Sequence, residues 1–511
     1  MNGAESLVRT LLANGIDTCF ANPGTSEMHF VAALDQVPGI RCVLALFEGV
    51  ATGAADGYAR MTDKPAATLL HCGPGLANGL ANLHNAQRAR VPMVNIVGDQ
   101  ATYHRPLDAP LTADTEGWAR PVSAWCRTST AVAAVGRDAA AAVQAARTAP
   151  GIATLILPSD VCWDEGGEVA GAADIAAPPA ASPEMVGRAA RILRSGESTV
   201  LFLAGASLRA GPLAQARRIA EATGARIMAP TSNARIERGA ERHRVERLPY
   251  VIDLALAALK DVRHMILVGA PEPVGFFAYP GKPGRLLPPE AQLHVLTRAE
   301  QDGPLALEQL ADALDAPPAG VPAPAARPEP ARGKVTSEAV GRTLAALMPD
   351  NAIVVDESVS FGRAFYAETV DAPSHDWLQL TGGAIGEGLP LATGAAIAAP
   401  DRRVITMQAD GSALFTVQAL WTQARERLDV TTVILANRKY AILLGELASV
   451  GANPGRTALD MLDLSNPDLD WVGIANGFGV EAAQAQNMEE FADLMATANN
   501  RKGPFVIELI I

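Results

Sequence analysis

Positive charge, cysteine, aromatic rings and long apolar runs are all scarce in this chain. Lysine and arginine number 42 against 55 aspartates and glutamates, for a net charge of −13. That balance argues against nucleic acid or an anionic membrane as a main partner. No apolar run approaches the ~18 residues of a membrane-spanning helix. The start, Met1-Asn-Gly-Ala-Glu, has no basic segment followed by an apolar one, so no signal peptide is expected. The five cysteines (Cys19, Cys42, Cys72, Cys126 and Cys162) form an odd set with no metal-ligand spacing. They read as free core thiols of a reducing compartment, and a cytoplasmic location is expected. No Gly-x-Gly-x-x-Gly opens a helix after a strand, which argues against Rossmann-type NAD binding.

Apolar residues make up 49% of the chain, enough for large cores. At ~150 residues per domain, the length of 511 residues suggests about three domains. Two stretches break the pattern: the Ala/Gly/Pro-rich segment Glu165 to Pro183, and the proline-dense run Pro317 to Arg332, a semi-rigid linker. The expected domains are therefore residues 1–165, 184–316 and 335–511. Each alternates short apolar runs with amphipathic stretches, as in Thr18-Cys-Phe-Ala, Thr199-Val-Leu-Phe-Leu and Ala352-Ile-Val-Val. The fold class is α/β: three consecutive doubly wound domains, with mainly parallel sheets covered on both faces.

Three constellations carry chemistry. Asp410-Gly411-Ser412 follows the run Arg403 to Ala409, and Asn437 follows Val430-Thr-Thr-Val-Ile-Leu. A helical stretch from Leu414 to Arg427 is expected between them, with Ser412 as its cap. Parallel strands joined by a right-handed crossover bring such ends side by side. Singly, these residues are an ordinary Asp-Gly turn and a strand-end Asn. Together they suit a hard divalent cation holding a diphosphate, with the Asp410 carboxylate, the Asn437 amide oxygen and a carbonyl such as that of Lys439 as ligands. Next, Glu48 closes the run Val43-Leu-Ala-Leu-Phe, where a carboxylate needs a partner. The helix after it carries Gly49, Gly53 and Gly57 on one stripe, at ~1 kcal/mol each relative to alanine, so close approach of another helix, supplied by a subunit interface, is expected there. Finally, His71 ends Thr68-Leu-Leu before Cys72-Gly-Pro-Gly, where it either relays protons or is merely hydrogen-bonded locally.

These motifs resemble the thiamine diphosphate (ThDP)-dependent 2-oxo acid decarboxylase and acetohydroxyacid synthase family over essentially the whole chain. Asp410, Gly411 and Asn437 are similar to its metal and diphosphate motif. Glu48 with Ala55-Asp-Gly-Tyr-Ala-Arg60, Asn22-Pro-Gly-Thr-Ser-Glu27, and Gly382-Gly-Ala-Ile-Gly-Glu-Gly-Leu-Pro390 match further signatures. In detail the likeness is to benzoylformate decarboxylases. The resemblance implies ThDP and Mg²⁺ as cofactors, a small 2-oxo acid as substrate, and a homodimer or homotetramer with active sites between subunits. Glu48 would activate the aminopyrimidine, and Ile385 would hold the two cofactor rings folded together. Ser360, Gly411, Ser412 and Tyr440 would contact the cofactor; Thr25 or Ser26 would hold the substrate carboxylate, and His71 would relay protons. An intact Glu48 argues against a mere ThDP-binding protein.

The departures are specific. Ala409 and Ala436 replace a glycine and an asparagine of the metal motif, and Ala441 stands where glycine is usual. The second active-site histidine of benzoylformate decarboxylases has no counterpart in Gly275-Phe-Phe-Ala-Tyr279. Carboligation of the acetolactate synthase type is therefore the alternative activity. The incomplete glycine pattern of Leu201 to Ser207 predicts no flavin in the middle domain. Phe276, Phe277, Tyr279, Ile442 and Leu443 line an apolar substrate pocket or belong to the core.

Overall fold

The computed structural model describes residues 1–511 except 321 and 323–325. Part of the proline-dense linker therefore lies outside the described residues. Three sheets organise the chain. The first holds β1 (Thr18–Asn22), β2 (Arg41–Leu44), β3 (Ala66–Leu70), β4 (Met93–Asp99), β5 (Trp125–Thr128) and β6 (Ile152–Pro158) in the order β2-β1-β3-β4-β6-β5, all parallel. The middle sheet holds β7 (Thr199–Leu203), β8 (Arg226–Ala229), β10 (Glu246–Arg247), β11 (His264–Val268) and β12 (Gln292–Thr297) in the parallel order β10-β8-β7-β11-β12.

The last sheet contains β13 (Ile353–Glu357), β14 (His375–Gln379), β15 (Val404–Ala409), β16 (Val430–Ala436), β17 (Glu481–Ala485) and β18 (Phe505–Ile510). Its order is β17-β18-β16-β15-β13-β14-β9, and only β9 (Ile236–Arg238), reaching over from the middle of the chain, is antiparallel. The α/β class with three mainly parallel sheets is thus realised.

Alternate residues of each strand enter different cores, as a sheet covered on both faces requires. Phe20, Leu70, Met93 and Ile156 point into one core, while Cys19, Leu69, Val94 and Leu155 point into another. Val355, Val404 and Ile434 likewise face away from Val354, Ile405 and Val433. One of these cores is shared: it takes residues from both the first and the last sheets.

The joint is a pair of helices, Glu48–Thr62 and Gly388–Ala398. The second is apolar almost all round and buried along nearly its whole length. A Cβ at Gly57 would lie 2.0 Å from the Leu391 carbonyl oxygen, and one at Gly394 would lie 1.8 Å from that of Ala54. Small residues let the two backbones touch. This corrects the sequence reading of the glycine stripe. The helix that Gly53 and Gly57 meet belongs to the same chain, and Gly49 faces its own Phe47.

Two further expectations are corrected. The stretch from Leu414 to Arg427 is not one helix: a single turn, Asp410–Ala413, is followed by a break and then by Ala419–Glu426. Ser412 is not a cap; it lies inside that turn, and its hydroxyl donates back to the Ala409 carbonyl at 3.0 Å. Asp410, Gly411 and Ser412 turn directly off the strand, so the helix has to restart beyond them. Among the described residues no helix is long and apolar enough to cross a membrane.

The joint predicts its own fragility. Gly57→Val should destabilise the fold by about 3 kcal/mol, the upper range for overpacking, because the clash is with backbone. Urea unfolding would measure this, and a midpoint equal to that of the parent would contradict the close approach.

Candidate active site

Ligands of open parallel sheets bind outside the carboxyl ends of strands, where the strand order reverses. In the last sheet that point lies between β13 and β15, because the chain leaves β13 toward β14 and leaves β15 toward β16. A pocket of about 50 Å³ sits there. Ser358 to Phe361 after β13, Ala409 to Ser412 after β15, and Asn437, Lys439 and Tyr440 after β16 line it. The two strand ends expected to meet do so. Asp410 Oδ2 accepts the Arg438 backbone N–H at 2.6 Å, and Oδ1 accepts that of Gly411 at 2.8 Å.

Asp410 is 2% exposed, and burial pushes its pKa up against the pull of these N–H donors. Asn437 Oδ1 accepts the Lys439 N–H at 3.0 Å. The lining is rich in hard oxygen donors, which suits a hard cation. Gly411 lies under the Tyr440 ring, where a Cβ would come within 2.6 Å of Cε1. The Ser412 hydroxyl is engaged inside the protein, accepting from Gln408 Nε2 at 2.7 Å.

Ile385 lines both this pocket and a cleft of about 1250 Å³. Its loop is tied from several sides. Glu357 accepts the N–H groups of Gly386 and Gly388 at 2.6 and 2.5 Å. Asn85 Nδ2 donates to the Ala384 carbonyl at 2.7 Å, and Asn82 Nδ2 donates to those of Gly49 and Gly386 at 2.8 and 3.2 Å. Tyr250, Phe276, Phe277, Ile442 and Leu443 line the adjoining cleft. Phe276 and Phe277 are 53% and 56% exposed, so they are cleft walls and not core. Tyr279 is not among the lining residues; its hydroxyl donates to Glu446 at 3.3 Å.

The first sheet has its own switch point, between β1 and β3. Thr25, Ser26 and Glu27 follow β1, and His71 follows β3. Glu27 is 2% exposed and accepts from the Gly24 N–H at 2.8 Å and the Ser26 hydroxyl at 2.5 Å, and it pairs with His71 Nδ1 at 2.9 Å. Thr25 is exposed. Cys72 Sγ lies 3.0 Å from Ser26 Oγ, and burial pushes its thiol up to about 11. Glu27, His71 and Cys72 bring their ligand atoms within 4.8 Å of one another, a grouping that linear spacing did not show. A thiol so hard to ionise is a weak cation ligand. Glu48 heads its helix, 6% exposed, and accepts from Asn78 Nδ2 at 3.0 Å. Neither cavity is lined by Glu48, His71, Thr25 or Ser26, so within one chain these residues and the Asp410 pocket do not form a single cavity.

Comparison with known proteins decides the family. Residues 1–118 match the model for the thiamine pyrophosphate enzyme N-terminal TPP binding domain, and residues 364–509 match that for the C-terminal TPP binding domain. A Mycobacterium tuberculosis protein named "Putative acetolactate synthase large subunit IlvX" is 53% identical, over 100% of this chain and 99% of its own length. The chain belongs to the thiamine pyrophosphate enzyme family. Benzoylformate decarboxylase of Pseudomonas aeruginosa is 31% identical over 98% of this chain and 97% of its own. The ThDP-dependent 4-hydroxybenzoylformate decarboxylase of Rhodococcus jostii RHA1 superposes with a TM-score of 0.85 at 26% identity, covering 99% of this chain and 98% of that one.

In this thiamine pyrophosphate enzyme, sequence reasoning passed over Glu27. Its motif was noted, but its role arises only when β1 and β3 lie side by side and bring His71 to it across 44 positions. The signal available was an acid inside a Gly-Thr-Ser-Glu turn. Glu27→Gln removes the charge from three hydrogen bonds. It should cost about 2 kcal/mol in urea unfolding and displace the ¹⁵N resonances of the His71 ring. Unmoved ring resonances would show that Glu27 does not hold His71.

Proposed function

We propose that the protein is a ThDP- and Mg²⁺-dependent decarboxylase of 2-oxo acids, similar in action to benzoylformate decarboxylase, whose site is completed by a second copy of the chain. The observation that carries this reading is the Ser26–Glu27–His71 cluster, because a proton-moving set has no use in a protein that only binds the cofactor. In this reading residues 1–165 hold the aminopyrimidine, residues 335–511 hold the diphosphate, and residues 184–316 form the wall between. The Asp410 carboxylate, the Asn437 amide oxygen and the Lys439 carbonyl hold Mg²⁺, and Ser360, Gly411, Ser412 and Tyr440 frame the diphosphate. ThDP, when bound, supplies the electron sink for cleavage of the bond to the substrate carboxylate.

The chain's own residues do the rest. Glu48 would hold a proton at the aminopyrimidine ring nitrogen, and Ile385 would support the cofactor from a loop tied by Glu357, Asn82 and Asn85. Ser26 commits its proton to Glu27, which leaves the exposed Thr25 hydroxyl as the better donor to the substrate carboxylate. His71, oriented by Glu27, moves the proton that replaces CO₂. The walls formed by Tyr250, Phe276 and Phe277 favour an aromatic 2-oxo acid.

Carboligation of the acetolactate synthase type is the second reading. It is favoured by the 53% identical relative and by Gly275-Phe-Phe-Ala-Tyr279, where the second histidine is lacking. The discriminating experiment is CO₂ release with product analysis over a panel of 2-oxo acids, with and without an acceptor aldehyde. One aldehyde per CO₂ from aromatic substrates is expected. A 2-hydroxy-3-oxo acid as main product would move the protein to the transferases.

Two substitutions probe the halves separately. Glu48→Gln should lower turnover by at least ~10²-fold with ThDP affinity nearly unchanged, and full activity would remove Glu48 from the mechanism. Asp410→Ala should abolish Mg²⁺-dependent ThDP binding in calorimetry. An unaltered isotherm would refute the metal assignment.

A further inference from the structure

Arg238, Arg242, Arg247 and Arg363 also line the large cleft. Two of these flank one ring. The guanidinium of Arg238 stands 3.8 Å from the Tyr366 ring centroid, and that of Arg247 stands 4.6 Å from it. Like charges so placed repel, and burial adds to the cost. Arg238 is 5% exposed, and desolvation pulls its pKa down to about 10. Its hydrogen bonds go to neutral acceptors, the Thr369 hydroxyl at 2.7 Å and the Tyr366 carbonyl. The buried Nη1 of Arg247 has no acceptor at all among the described residues.

Among the described residues no carboxylate lies within 4.0 Å of these four guanidinium groups. Their neighbours in the same cleft behave differently: Arg226 pairs with Glu246 at 2.5 Å, Arg244 with Asp371 at 2.6 Å, and Arg217 with Glu221 at 2.8 Å. Stacking on Tyr366 and Trp377 accounts for Arg238. Arg247 shares the Tyr366 ring but still has an idle buried donor, and the exposed Arg363 stands 6.0 Å from the Tyr250 ring centroid with no ion-pair partner among the described residues. The carboxylates that share the cleft are engaged elsewhere: Glu246 pairs with Arg226, Glu446 accepts from Tyr250, and Asp356, bonded to Ser358, acts on Arg238 only from beyond ion-pair distance.

We propose that this arginine-lined part of the cleft is an oxyanion site that takes a phosphate dianion. Paired guanidinium groups present parallel N–H donors to phosphate oxygens, and two adjacent positive charges match a dianion better than a monoanion. The phosphate has two conceivable carriers of one chemistry. It is the far end of an extended substrate that reaches along the cleft to Ile385, or it belongs to a separate phosphorylated effector.

The test uses ThDP- and Mg²⁺-loaded protein, so that the cofactor's own diphosphate pocket is filled, and inorganic phosphate as the probe. Saturable binding by calorimetry is expected, weakened at least about ten-fold in Arg247→Gln/Arg363→Gln. Arg363 is exposed, so Arg363→Gln alone serves should the double variant fold poorly. Absence of saturable binding, or equal binding by parent and variants, overturns the site. Both readouts are independent of turnover, so they fail or succeed separately from the decarboxylase reading. Competition between phosphate and a 2-oxo acid that carries a phosphorylated tail would support the substrate carrier; an effect of phosphate on the turnover of a tail-less 2-oxo acid without competition would support the effector.

Discussion

Two helices that touch backbone to backbone set the position of everything else. Gly57 against the Leu391 carbonyl and Gly394 against that of Ala54 leave no space for a Cβ on either side, so the two helices have one relative placement. Arg60 locks it. Its guanidinium bonds Asp56 at 2.7 Å through both Nε and Nη2, and Glu387 at 2.6 Å, and it also donates to the carbonyls of Gln379 and Ala234. One side chain therefore reads the first helix, the middle of the chain and the last sheet together. Removing one member of such a buried set leaves an unpaired charge, at a cost of about 3–5 kcal/mol. Glu387 sits two residues from Ile385, so the steric constraint between helices becomes a positional constraint in the cavity.

Burial, charge and strain gather at the switch points of the first and last sheets. Glu27, Glu357 and Asp410 are each 2% exposed, and each accepts backbone N–H groups. Burial raises Glu357 and Asp410, and the N–H donors pull them back. A cation beside Asp410 would complete that compensation. Backbone strain lies next door. Cys72, Val359 and Arg438 have φ of 50°, 51° and 58°, and they follow β3, β13 and β16 directly or within two residues. A β-branched residue such as Val359 holds that conformation only when its surroundings impose it, at a cost of roughly 1–3 kcal/mol.

Long apolar strands and local motifs were legible because their signal is local. The pair Asp410–Asn437 needs only one crossover unit, and Glu48 needs only its own run and helix. What escaped depends on distant partners. β14 reads His-Asp-Trp-Leu-Gln, too polar for a central strand, yet it is buried because Arg235 and Arg402 neutralise Asp376. β17, Glu-Ala-Ala-Gln-Ala, has helix-forming composition and is a strand only by pairing with β18. β9 crosses to the last sheet, which no local pattern encodes. The glycine stripe announced a close helix but not whose helix it was, because periodicity carries no partner identity.

The far wall of the cleft carries the chemical consequence of the missing histidine. Phe276 and Phe277 bring no exchangeable proton, and the neighbouring polar atoms are occupied: Tyr250 and Tyr279 both donate to Glu446, at 3.2 and 3.3 Å. Burial and then Glu446 push the Tyr250 hydroxyl up, so it stays a donor to that carboxylate at neutral pH. Under the proposed reaction, proton delivery to the carbon that loses CO₂ therefore rests on the His71 side alone. A wall that supplies shape without protons slows protonation and lengthens the time in which a second carbonyl compound can be captured. Under that reading decarboxylation and carboligation would share one site, and the balance between them would turn on how firmly Glu27 holds His71.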